Sequence, residues 1–125
     1  MKIFKTILLF SLIFSTTEIF SQELPDSYQT LFDQVVTNFE SIRTGNSLTK
    51  GQNSIRLINE NKIVLRTKHQ KKIKNLTFVK KENKEKELVW IADNQLTIDM
   101  VNKYEEFLTE VLQEMLEYST EKAKE

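Results

Sequence analysis

Apolar residues follow a helical period after Pro25. They recur at intervals of three and four residues and comprise Tyr28, Leu31, Phe32, Val35, Phe39 and Ile42. This spacing places them on one stripe of an amphipathic helix. Asp26 or Ser27 can cap its N-terminus, and Gly45 suits a left-handed stop at its C-terminus. The pattern predicts a helix over 27–44.

A different period begins at Ser54, where apolar and polar residues alternate. The segment SIRLINENKIVLRTK holds two β-branched runs on either side of a polar loop at 59–61, which is typical of a hairpin. A second hairpin is predicted from strands at 73–81 and 88–92, with ENKEKE as its turn. His69 is predicted to lie in the loop between the hairpins. Because every connection is short, the simplest arrangement is a four-stranded antiparallel meander.

A second helical pattern covers the last part of the sequence. Val101, Tyr104, Leu108, Val111, Met115 and Tyr118 step by three and four residues. We expect a single helix over 98–118, capped by Thr97 and with Asp99 in its first turn. At about 1.5 Å per residue this helix is roughly 30 Å long, which exceeds the length of a typical strand.

The order of these elements predicts an α+β domain in which both helices cover one face of the sheet. The other face is then open to water or to a partner. In the second hairpin, Leu76, Phe78, Leu88 and Trp90 are predicted to point inward and Thr77, Val79, Val89 and Ile91 outward. The outer face therefore mixes lysine with β-branched residues, which a purely solvated face does not require.

The first 21 residues have the layout of a secretory signal peptide, with Lys2 and Lys5 before a short apolar run and a small residue at the end. A membrane anchor is the competing interpretation, but a spanning helix needs about 20 apolar residues. We expect cleavage after Ser21, with Ser15 and Thr17 as alternative sites. Removing 21 residues from 125 leaves 104, enough for one small domain over 22–125.

The ending IFSQ resembles the signal peptides of Gram-negative bacteria of the Bacteroidota type. This resemblance covers the leading segment alone and implies a bacterial envelope protein, either periplasmic or extracellular. No cysteine follows the apolar run, so the chain offers no acceptor for the lipid of a bacterial lipoprotein. We expect the mature chain to be soluble, without a stable membrane span.

Charge is divided along the sequence, although the net charge is 0. Between Lys50 and Leu88 there are 12 Lys or Arg and 4 Glu, a net +8, whereas 89–125 holds 3 Lys and 9 Asp or Glu, a net −6. One interpretation is that a basic sheet and an acidic helix balance each other as neighbours, with their outer sides solvated. The alternative is a basic sheet surface that binds an anionic partner.

The candidate binding residues for such a partner are lysines of the second hairpin: Lys72, Lys74, Lys80, Lys81, Lys84 and Lys86. Lipopolysaccharide phosphates, an acidic protein or extracellular DNA would provide the negative charge. Phe78 and Trp90 lie beside these lysines, but the aromatic motif of base-stacking sheets is absent and arginine is scarce. The sequence therefore argues against a nucleic-acid-binding domain.

Residues for catalysis are few. The chain has no cysteine, one histidine and two glycines, which excludes disulfides, thiolate chemistry, paired-histidine sites and glycine-rich phosphate loops. Asp93 and Asp99 are explained by helix capping. An acidic helical stripe, which is typical of a solvated face, comprises Glu106, Glu110, Glu114, Glu117 and Glu121. We expect no cofactor and no metal.

These patterns favour a small exported protein that acts by binding rather than by catalysis. The alternative from another class is a structural or assembly subunit, which forms a homodimer by pairing its long C-terminal helix with a second copy. A hydrolase that uses carboxylates alone is the third interpretation.

Overall fold

The computed structural model describes residues 22–43 and 45–125, so the predicted signal segment and Thr44 lie outside the described residues. The chain is an α+β protein with three described helices and one antiparallel sheet. Its elements are β1 (Gln22–Glu23), α1 (Asp26–Ser41), β2 (Ser47–Lys50), β3 (Asn53–Asn59), β4 (Lys62–His69), β5 (Lys72–Glu82), β6 (Leu88–Ala92), α2 (Gln95–Lys103) and α3 (Glu105–Ala123).

The sheet has the strand order β1-β6-β5-β4-β3-β2. The predicted hairpins are present as β3–β4 and β5–β6, and they form a meander as predicted. The predicted number of four strands is wrong. β2 extends the meander at one edge, although Leu48 is its only apolar residue, and two-residue β1 pairs with β6 at the other edge. Gly51 lies in the two-residue turn of the β2–β3 hairpin and has a φ of 61°. Such turns favour glycine at positions with a positive φ.

The first helix, α1, is shorter than predicted and lacks the predicted cap. It begins after Pro25, whose carbonyl accepts hydrogen bonds from the amides of Tyr28 and Gln29, and no side chain caps its N-terminus. It ends at Ser41 because Ile42 is extended. Gly45 does adopt a positive φ, of 120°, but in the connection to β2 rather than directly after the helix.

The predicted single C-terminal helix is two helices, which meet at Tyr104. This residue has a φ of −130° and a ψ of 44°, so α2 ends there and α3 begins with the next residue. Asn94, not Thr97, caps α2 by accepting the Thr97 amide at 2.9 Å. Thr97 is instead buried, and its hydroxyl accepts the Thr77 amide of β5 where β6 has ended.

The helices cover one face of the sheet, as predicted, and the core lies between the two layers. Only alternate strand residues reach it, among them Ile55, Ile63, Leu65, Leu76, Phe78 and Trp90. The Phe32 ring of α1 lies 4.6 Å from Phe78 and 5.3 Å from Trp90, measured between ring centroids. Leu88 is two residues from Trp90 on β6, so its side chain has the same inward parity, meaning that it lies on the same face of the sheet. Leu88 is nevertheless 63 % exposed, so the predicted inward packing fails at this end of β6.

The exposed edge of β6 is closed by a side chain. The Gln29 amide accepts the Trp90 backbone N–H at 2.6 Å and donates to the Trp90 carbonyl at 2.8 Å, as a neighbouring strand would. It also donates to the Leu24 carbonyl at 3.1 Å. These hydrogen bonds take the place of backbone pairing where β1 has ended. Only a short edge of β6 remains free, which disfavours pairing of this edge with another chain.

The β4–β5 turn holds two non-glycine residues in the left-handed region. Gln70 has a φ of 51° and Lys71 a φ of 66°. Two-residue hairpin turns with positive φ at both central positions favour Asn-Gly, because a Cβ atom is strained there. The register of His69 with Lys72 shows that the turn is nevertheless tight.

Replacing Gln70 and Lys71 with Asn-Gly is expected to raise the free energy of unfolding by about 1–2 kcal/mol, because it relieves left-handed strain. Urea denaturation measures the change. Gln52→Asn in the β2–β3 turn, where Gly51 already occupies the strained position, is the matched control and should have little effect. Equal stability of the double variant and the wild type would contradict the prediction.

Candidate functional site

The outer face of the sheet, which points away from the helices, carries a band of cations. This band is called the basic stripe and comprises Arg56, Lys62, Arg66, Lys68 and Lys81. Strand register places one of these cations in each of five successive rows of outward side chains. Rows on one face are about 7 Å apart, so the stripe runs roughly 27 Å along β4.

No residue of the basic stripe takes part in an ion pair within residues 22–43 and 45–125. All described ion pairs lie elsewhere, between Lys50 and Glu114, Lys80 and Asp33, and Lys122 and Glu125. Four of the five stripe residues are exposed, and Lys62 is half-buried. The outward acids Glu23 and Asp93 lie toward the β6 edge, two to three strands away from β4. At one end of the stripe, Glu23, Glu82 and Glu85 line the same groove as Lys81, although none of them pairs with it. The stripe is therefore a surface of net positive charge.

Apolar side chains lie between the cations. Ile73 is 55 % exposed and Val64 is half-buried, while Val79 and Ile91 are paired across β5 and β6 and are buried. No aromatic residue has the outward parity on the described strands, since Phe78 and Trp90 point inward. The face thus offers charge and aliphatic contact but no ring on which a nucleobase could stack.

The six lysines proposed from the sequence do not share one face. Lys72, Lys74 and Lys80 have the inward parity of Leu76, and Lys81 alone belongs to the basic stripe. Lys84 and Lys86 lie in the turn between β5 and β6. The structure therefore divides them among the helix side, the outer face and a turn.

Lys80 has a structural partner on the helix side. Its Nζ lies 3.0 Å from Asp33 Oδ1, which also accepts the Trp90 Nε1–H at 2.9 Å. Partial burial alone would raise the pKa of Asp33, but the hydrogen bonds from Trp90 and Lys80 and the charge of Lys80 outweigh it and lower the pKa below its ordinary value. Because the folded pKa is lowered, the contribution of Asp33 to stability is present above its unfolded pKa and is lost as the pH falls through the folded pKa.

Two grooves border the basic stripe. The larger, of about 570 Å³, lies beside Lys81 and is floored by Val89 and Ile91, with the β5–β6 turn as one wall. The smaller, of about 380 Å³, lies between the β2–β3 turn and Arg66, Lys68 and Ile73. Both grooves are shallow openings at the ends of the stripe, so the stripe forms the continuous part of this surface.

A second charged surface lies on the opposite side of the domain. Residues 108, 112 and 115 of α3 point into the core. At 3.6 residues per turn, four exposed glutamates lie on the reverse side of this helix. They are defined here as the acidic stripe and comprise Glu106, Glu110, Glu117 and Glu121. None of them takes part in a described ion pair, and Glu114, which pairs with Lys50 at 3.9 Å, lies to one side.

The remaining candidate residues have structural roles. His69 is the last residue of β4 rather than a loop residue, and its ring lies 4.3 Å from Tyr104 and 4.4 Å from Phe107. The expected place of Asp99 in the first helical turn is wrong, because α2 begins at Gln95; Asp99 accepts a hydrogen bond from the Gln95 side chain within α2. In residues 22–43 and 45–125, no three His, Asp or Glu side chains are grouped as a metal site would require.

Comparison of this chain with family models, curated proteins and solved structures finds no match. Within the part of the chain that the structure describes, no helix has both the length and the hydrophobicity needed to cross a membrane. Sequence reasoning missed four of the five residues of the basic stripe. The available signal was the alternation of Arg56, Lys62, Arg66 and Lys68 with inward apolar residues.

Proposed function

We propose that this chain is a small exported interaction protein of the bacterial envelope, without catalytic activity, whose basic outer sheet face binds an acidic partner. One observation carries the proposal: five cations stand in a row on a sheet face that no described helix covers, and none belongs to a described ion pair. The leading 21 residues support export because they have the layout of a signal peptide.

The separation of the two charged surfaces favours an external partner over internal compensation. The basic stripe lies on the outer side of the sheet, and the acidic stripe lies on the outer side of α3. A sheet layer and a helix layer stand between them, each about 10 Å thick, so the screened attraction between the stripes is weak at physiological salt. The surfaces therefore remain available to other molecules.

Reversing the stripe charges is expected to abolish binding to anionic carriers. The stripe variant replaces Arg56, Arg66, Lys68 and Lys81 with glutamate. The exported protein, recovered from a bacterial host, is tested against vesicles that contain lipopolysaccharide, against duplex DNA and against polyglutamate. We expect salt-sensitive binding of the wild type to at least one of them and a loss of about tenfold or more in the variant, equivalent to about 1.4 kcal/mol.

A second variant with the same net charge serves as the matched control. It replaces Arg43, Lys72, Lys103 and Lys124, which are exposed and lie on the helix side of the sheet or at helix ends, with glutamate. We expect it to bind within about threefold of the wild type, because long-range charge is screened beyond about 8 Å at physiological salt. Equal losses in both variants, or no salt-sensitive binding of any carrier by the wild type, would contradict the proposal.

A further inference from the structure

We infer that the acidic partner of the basic stripe is a second copy of this chain, whose α3 lies along the stripe and joins the copies head to tail. This inference rests on the function proposed above and names the partner. The two surfaces it brings together are both present on every copy, both exposed and both outside the described ion pairs.

The two stripes are similar in length. At about 1.5 Å per residue, successive glutamates of the acidic stripe are separated by about 6, 10 and 6 Å along the helix axis, so the stripe from Glu106 to Glu121 is roughly 22 Å long. The cations lie about 7 Å apart over roughly 27 Å. A helix laid along β4 therefore places each glutamate within reach of a long, flexible Arg or Lys side chain.

Opposite charges permit contact between α3 and the outer sheet face, whereas like charges disfavour contact between two identical surfaces. Pairing α3 with α3 of a second copy would place Glu110 and Glu117 against the same glutamates of the other copy. Pairing two outer sheet faces would place Arg56 and Arg66 against like charges. Like charges in direct contact across an interface are repulsive. A homodimer formed by pairing two C-terminal helices, the alternative considered from the sequence, is therefore disfavoured relative to contact of α3 with the sheet.

The contact joins different surfaces of the two copies, so it leaves one stripe free at each end of the assembly. Such heterologous interfaces grow into open chains unless the rotation between copies closes a ring. The acidic stripe contributes no apolar anchor, and the exposed aliphatic residues on the strands of the basic stripe are Ile73, at 55 %, and Ile58, at 38 %. A narrow and charged interface of this kind is weak and depends on ionic strength.

Sedimentation velocity of the exported protein tests the inference. At low salt the wild type is expected to show a mass that rises with concentration and does not stop at the dimer, and to return to the monomer at about 0.5 M salt, where charges are screened over only a few ångströms. A helix variant replaces the four glutamates of the acidic stripe with glutamine. A sheet variant replaces Arg56, Arg66, Lys68 and Lys81 with glutamine. Each variant alone is expected to remain monomeric.

An equimolar mixture of the two variants gives the decisive result. The helix variant retains only the basic surface and the sheet variant only the acidic one, so the mixture is expected to form a 1:1 heterodimer and nothing larger. The control variant changes four exposed glutamates away from α3 to glutamine, namely Glu40, Glu60, Glu82 and Glu85, and should assemble like the wild type. Thermal melts establish that each variant is folded.

A monomeric wild type at low salt, a symmetric dimer that does not grow, or variants that do not combine would each overturn the inference. These failures are distinguishable from failure of the proposed function. The helix variant retains the basic stripe, so it should still bind the anionic carriers. Carrier binding by a strictly monomeric wild type would overturn self-association alone, whereas neither binding nor assembly would overturn both.

Discussion

Trp90→Ala is expected to lower the free energy of unfolding by about 3–5 kcal/mol, as typical for removing a buried aromatic ring. Trp90 is 0 % exposed and packs against Phe32 at the centre of the core. Its indole also donates a hydrogen bond to Asp33. Because small domains have about 5–15 kcal/mol of stability, this single change removes a large share of it. Urea denaturation, followed by far-UV circular dichroism, measures the loss.

Leu88→Ala provides the control, because Leu88 has the same parity on the same strand but is 63 % exposed. We expect it to cost less than about 0.5 kcal/mol, as exposed substitutions usually do. Trp90→Phe separates packing from hydrogen bonding, since it retains a ring and removes the bond to Asp33. A loss for Trp90→Ala no larger than that for Leu88→Ala, or native fluorescence typical of a hydrated indole, would contradict this placement of Trp90.

The elements that the sequence predicts well are those in which apolar residues recur at a regular interval. The apolar stripe of α1 is continuous from Tyr28 to Phe39, and all of its predicted members up to Phe39 are buried. The four central strands alternate over enough residues to fix which side chains point inward, as Leu76 and Phe78 do. Local periodicity therefore predicts the α+β class, the meander and the covered face.

The elements that the sequence predicts poorly depend on distant contacts. β2 contributes one buried residue, Leu48, and β1 is defined only by its pairing with β6. The break at Tyr104 has neither proline nor glycine, and the apolar period runs through it from Val101 to Leu108. The break lets α2 and α3 bury separate apolar sides, and Tyr104 packs against His69, which is 35 residues earlier in the chain.

The sequence predicted that the candidate site carries positive charge, but not which residues form it. Lysines of the second hairpin are close together in the sequence, but the pleat sends Lys80 and Lys81 to opposite faces. The basic stripe instead gathers residues from β3, β4 and β5, which only the strand register brings into line. Net charge along the sequence thus identified the basic sheet, whereas alternation along each strand determines which cations share a surface.

Gln29 gives the second large expected effect, because its side chain completes the β6 edge and the sequence contains no sign of this role. Gln29→Glu preserves shape and keeps the acceptor for the Trp90 amide, but it replaces the donor that serves the carbonyls of Leu24 and Trp90. The new carboxylate then faces two carbonyl oxygens. The Trp90 carbonyl still accepts the Leu24 backbone N–H at 3.1 Å, whereas the Leu24 carbonyl loses its described donor. We expect a loss of about 1–3 kcal/mol at neutral pH, which is the usual cost of leaving a buried polar group without a partner.

The pH dependence of this variant provides a specific test of the donor. Protonation of the introduced carboxyl restores an O–H donor, so the stability difference between Gln29→Glu and the wild type should shrink as the pH falls from about 7 to about 4, where glutamate titrates. Gln34→Glu, an exposed position on the same helix, controls for the added charge and should change stability by under about 0.5 kcal/mol. Urea denaturation of the three proteins at each pH gives the comparison. A pH-independent loss in Gln29→Glu would show that its cost arises from packing and not from the lost donor to the Leu24 and Trp90 carbonyls.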